Sequence, residues 1–182
     1  MKVKTLFLIC FLSITCLLNA ADKPVIQIHT DNSSLIFRVA DNGRLYQSYL
    51  GKKLSHETDI SHLPQGTEAY ITHGMEDYFE PAIHILHNDG NPSLLLKYVS
   101  HETKAVSQGV NETIITLGDD KYPVTVKLHY VTYPAEDIIK TYTEISHKEK
   151  KPVVLHQYAS SMLHLNRAKY YLTEFAGDWA HE

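Results

Sequence analysis

Twelve histidines are the most conspicuous chemistry-bearing residues, and His84 and His87 stand close enough to suggest a metal pair. A zinc centre needs three or four converging ligands at matched spacing, and neither an H-E-x-x-H motif nor a third ligand accompanies this pair. On a strand the two rings would fall on opposite faces. The histidines are therefore expected on the surface or in hydrogen bonds, with no metal and no cofactor. Hydrolysis of a glycosidic bond needs two acids about 5 Å apart for retention, and further apart for inversion. Glu76, Asp77 and Glu80 are the acids among aromatics, beside Tyr78 and Phe79. Adjacent residues project differently, so Glu76 and Asp77 alone do not make such a pair. Asp89, Asp119 and Asp120 stand in turn contexts, where Asp bonds its own backbone. Ser160-Ser161 lacks a G-x-S-x-G context. No catalytic residue is assigned.

The elements that would position any site begin after a leader. Met1-Lys2-Val3-Lys4 is a positive n-region, Leu6 to Leu18 is an apolar run, and Asn19-Ala20-Ala21 offers small residues for cleavage. The run is shorter than the roughly 20 residues of a membrane span, so residues 1–20 read as a signal peptide of an exported, periplasmic or secreted protein. No membrane span is expected once it is removed. Removal takes Lys2 and Lys4 from 17 Lys+Arg against 21 Asp+Glu, so the mature charge is 15 − 21 = −6. Without a basic stripe, nucleic acid is excluded as a partner. Cys10 and Cys16, the two cysteines, leave with the leader, so residues 21–182 must hold together without disulfides. A composition 43% hydrophobic and 10% aromatic excludes a disordered chain.

Residues 21–182 read as strands. Leu35 to Val39 and Arg44 to Leu50 flank Asp41-Asn42-Gly43 as a hairpin in which Asn-Gly supplies positive φ. Val124, Val126, Leu128 and Tyr130 alternate with polar residues in a half-buried strand. Ile114-Ile115-Thr116-Leu117 leads into it through Gly118-Asp119-Asp120. Further strands are expected at Ile138 to Ser146, Val153 to Leu165 and Lys169 to Phe175. Short turns without intervening helices imply an all-β, antiparallel β-sandwich. Residues 51–93 break the pattern, with short strands expected only at Ala69-Tyr70-Ile71 and Ala82 to Leu86. Such an insertion in a β domain is a functional loop or disordered, and its aromatics favour packing.

Three stretches carry a resemblance. Thr72-His73-Gly74-Met75-Glu76-Asp77-Tyr78-Phe79-Glu80-Pro81-Ala82 resembles the G-x-x-D-[FY]-R-x-P-A segment of the N-terminal domain of glycoside hydrolase family 36 α-galactosidases. Leu94 to Glu102 is similar to that domain's L-x-Y-x-S-H-E strand, and Phe175 to Glu182, with Gly177 and Trp179, to its G-x-W-x-x-E stretch. Their order matches the family's, and Asp137 to Tyr142 stands where the family has a strand opening with an acid.

The resemblance implies a β-supersandwich that precedes a (β/α)8 barrel, whose two aspartates perform retaining hydrolysis of terminal α-galactosides through a covalent galactosyl-enzyme. The chain looks like the front portion of such an enzyme, inactive alone, supporting the barrel, homo-oligomer contacts and pocket wall. An incomplete sandwich of this kind is expected to expose strand edges and apolar faces. The resemblance leaves a related α-N-acetylgalactosaminidase specificity open, because the discriminating pocket residues belong to the barrel. Where the family has Arg after its Asp-aromatic pair this chain has Phe79, which removes a charged donor from a loop that in the family lies near the pocket. Asp77 as hydrogen-bond acceptor, Tyr78 and Trp179 as stacking platforms are the implied contacts to α-galactoside oligosaccharides. The reading of a different class is a stand-alone carbohydrate-binding or adhesive sandwich.

Overall fold

A computed structural model describes residues 23–74, 80–165 and 171. Ten strands and one short helix follow in the order β1 (Val25–His29), β2 (Ser33–Val39), β3 (Leu45–Lys52), α1 (Glu57–Ser61), β4 (Thr67–Glu68), β5 (Ile83–Leu86), β6 (Leu96–Ser107), β7 (Val110–Asp119), β8 (Val124–Tyr133), β9 (Ile138–His147) and β10 (Val154–Tyr158). They make a four-stranded sheet β1-β2-β3-β4, a four-stranded sheet β6-β7-β8-β9 and a pair β10-β5, all antiparallel. The all-β, antiparallel sandwich expected from the sequence is the fold observed.

Period-2 alternation decides which side chains meet between the sheets. Ile26 and Ile28 of β1, Leu35 and Phe37 of β2, Ile115 and Leu117 of β7, and Val126, Leu128 and Tyr130 of β8 enter one core. Phe37 and Tyr130 touch across it, with ring centroids 5.1 Å apart and planes tilted by 46°, a geometry that aromatic quadrupoles favour. Burial pushes the Tyr130 hydroxyl above its ordinary range. On the opposite face of β2, Ile36 is also buried, and Arg38 donates to the carbonyl of Ile60 in α1. The ends of the two sheets are pinned by Asp137, which takes a φ of 56°. Its carboxylate accepts from Thr30 and Ser33, and the Thr30 bond foremost holds its pKa below the ordinary value.

Several elements differ from the sequence reading. In the β2–β3 turn only Gly43 takes positive φ, because Asn42 instead accepts the Arg44 amide through Oδ1 at 3.0 Å. Residues 69–71 are not a strand; pairing with β3 is confined to Thr67–Glu68, and Thr72 makes a single parallel bridge to Ile83. The irregular insertion holds α1, whose 5 residues, with Ile60 alone buried, are too few to show a helical period. The strand expected over 153–165 ends at Tyr158. The remaining residues run as a strap, and the expected strand from Lys169 lies outside the described residues except for Tyr171. The leader also lies outside them. Among the described residues no helix is long and apolar enough to cross a membrane.

Candidate functional site

The segment bearing the first motif leaves and re-enters the fold through paired backbone. The amides of Ala82 and Ile83 donate to the Ile71 carbonyl at 2.7 and 3.3 Å, and the His73 amide donates to the Ile83 carbonyl at 3.0 Å. Gly74, first residue of the motif, has φ +83°, a left-handed conformation that glycine adopts without a Cβ penalty. At the return, Gln157 of β10 donates through Nε2 to Glu80 Oε1 at 2.8 Å and to the Pro81 carbonyl at 3.0 Å. Asp77 and Tyr78 lie outside the described residues, as does Trp179.

Beside this base lies a cavity of about 480 Å³, walled by Thr67, Ile71, Glu80 and residues 162–165. Its second wall is the strap that follows β10. Gln47 of β3, fully buried, donates through Nε2 to the His164 carbonyl at 2.7 Å and accepts the His164 amide at 3.2 Å. The His164 ring donates through Nε2 to the Glu68 carbonyl at 2.7 Å, and Glu68 is itself clamped by both Arg44 donors. Tyr70 donates to the Ala159 carbonyl at 2.7 Å, and burial above all pushes its hydroxyl up to about 12. Glu80 is the single carboxylate among the described lining residues, which offer hydrogen bonds and apolar surface but no acid pair. An equally large cavity lies beside α1, lined by Arg38 and Glu57 among others and remote in sequence from the motif.

The remaining acids and histidines behave as turn and core groups. Asp119 accepts the amides of Leu95, Lys121 and Tyr122, and Asp89 accepts the Asn91 amide and the Tyr122 hydroxyl. His87 is buried, with Nδ1 2.7 Å from Glu149 and Nε2 3.1 Å from the Ser93 carbonyl, and stacks on Tyr122 at 3.5 Å. Burial raises the Glu149 carboxyl, but the bonds from His87 and Asn88 outweigh it and leave its pKa lowered. His84 faces away, against His73 and His156, so the expected opposition of His84 and His87 holds. Among the described residues no three His, Cys, Asp or Glu are arranged to hold a metal ion. Sequence reasoning missed Gln47, His164, Gln157 and Glu149; their partners are 61 or more residues away, and no local spacing signals such pairs.

The family model described as the glycosyl hydrolase family 36 N-terminal domain matches residues 27–182. The chain belongs to that family. This family-36 N-terminal domain shares its fold with the α-galactosidase of Lactobacillus brevis, at 17% identity and TM-score 0.65 over 76% of this chain and 23% of that one. It likewise matches the family-36 α-galactosidase AgaA of Geobacillus stearothermophilus at 18% identity and TM-score 0.67, covering 75% of this chain and 24% of that one. A variant of AgaA was solved in complex with raffinose and another with stachyose. The family-36 domain thus spans about a quarter of the length of the structures it matches. No curated protein matches it.

Proposed function

We propose that residues 21–182 are the N-terminal, non-catalytic sandwich of an exported family-36 α-galactosidase, with residues 1–20 as its signal peptide. The observation that carries this is the family match over 27–182 together with coverage of about a quarter of each α-galactosidase it resembles. The cavity beside the motif base, whose described lining residues include one carboxylate, suits a pocket wall rather than a hydrolytic centre, because retaining hydrolysis requires two carboxyl groups. The substrates of the parent are α-galactoside oligosaccharides of the raffinose type, contacted by Asp77, Tyr78 and Trp179, and the domain contributes to homo-oligomer contacts.

The test is hydrolysis of an aryl α-galactoside by the purified 182-residue polypeptide and by the longer product of its reading frame. Release of galactose by the longer product alone is expected, and there Asp77→Ala should raise KM about tenfold, the loss of roughly one charged hydrogen bond, and Trp179→Ala should raise it through loss of a stacking face. Activity of the polypeptide by itself would overturn the assignment, as would a reading frame that ends at residue 182 in a protein that binds oligosaccharide unaided.

A further inference from the structure

Three imidazoles from three separate segments meet at the base of the motif. His73 follows the Thr72 bridge, His84 is on β5, and His156 sits where the register of β10 shifts between Leu155 and Gln157. The rings of His73 and His84 are stacked, 3.8 Å between centroids and 19° between planes. The His156 ring lies 4.8 Å from that of His84, tilted by 36°. None of the three makes an ion pair among the described residues, in contrast to His87 and His129. Neutral imidazoles stack favourably, whereas two imidazolium ions at this separation repel. The contact joins the backbone on which the amides of His73, Ala82 and Ile83 are paired.

We propose that His73, His84 and His156 form a proton-sensitive clasp that holds residues 71–73 against residues 82–84 at neutral pH and loosens in mild acid. Burial foremost, and then the charges of His73 and His156, lower the pKa of His84. Glu80, the nearest described carboxylate along the chain, accepts from Gln157 and is not among the charges that act on His84. The unfolded chain, with an ordinary histidine value of 6.5, then binds protons that the clasp refuses. Stability is fully present above that value and is lost as pH falls below it. This inference is independent of the α-galactosidase assignment, since it concerns the fold of the domain and not hydrolysis.

The experiment is histidine NMR titration of the full chain, with amide exchange at His73, Ala82 and Ile83 corrected for intrinsic rates, between pH 7.5 and 5.5. Expected are a His84 midpoint below 6.5, protection at those amides reduced about tenfold at the acid end, and a melting temperature lower by about 2–4 °C. His84→Phe, which keeps a ring without a charge, should abolish the local loss, and Glu76→Gln with Asp77→Asn should preserve it. Three independent midpoints near 6.5, unchanged protection, or an equal loss in His84→Phe would overturn the proposal. The wild-type titration decides the matter even where a variant does not fold.

Discussion

At the scale of single residues, Glu112 of β7 is a multiply engaged charge. Its carboxylate accepts the Tyr142 hydroxyl at 2.5 Å, His129 Nδ1 at 2.9 Å and Lys104 Nζ at 3.0 Å. These bonds, Tyr142 first, bring its pKa down from 4.5 to about 2. A depressed carboxylate stabilises the fold above its unfolded value, and that contribution is lost as pH falls from about 4.5 to about 2. Glu112→Gln should therefore flatten the acid limb of the urea midpoint against pH, while costing about 1–3 kcal/mol at pH 7; an unchanged acid limb would refute the role. Gly66 poses a steric demand instead. At φ +82° an added Cβ would lie 1.9 Å from the Gln47 carbonyl oxygen, which is backbone and cannot swing aside. Gly66→Ala is expected to lower stability by about 3 kcal/mol or more, seen as a shifted midpoint in equilibrium urea unfolding.

At the scale of elements, edge protection and strap attachment matter most. β6 is a 12-residue edge strand with register shifts at both ends and Lys97, Glu102 and Lys104 along it, features that discourage edge-to-edge pairing. The strap after β10 has no ladder of its own and is held at His164 by the Gln47 amide, which reproduces a backbone pair of bonds. Gln47→Met fills similar volume but removes both bonds. It should cost about 2 kcal/mol and raise amide exchange and proteolytic cleavage selectively within residues 159–165; cleavage spread evenly over the domain would contradict the strap's local attachment.

At the scale of the whole molecule, several large apolar side chains on and after β10 are exposed. Val154, Leu155 and Tyr158 are exposed, Tyr158 by 63%, as are Leu163 and Leu165. Exposed apolar surface marks association sites. Replacing Leu155 and Tyr158 together by Lys should reduce self-association in analytical ultracentrifugation with a melting temperature within about 2 °C of the parent. A melting point lowered far beyond this would show instead that these side chains are internal packing.

Alternating apolar residues in Val124 to Tyr130 and the Leu35 to Leu50 hairpin made the antiparallel sandwich readable, because a period of two places side chains on faces whatever the later packing. The turn roles of Asp89 and Asp119 were equally local. The family was legible from Gly74 to Ala82, Leu94 to Glu102 and Phe175 to Glu182, since motif order survives without coordinates. Tertiary structure alone joined Gln47 to His164, Gln157 to Glu80, His87 to Glu149 and His73 to His84 and His156. Those contacts arise from how two sheets and a strand pair settle against one another, and hydrogen bonds between residues far apart in the chain leave no periodicity along it.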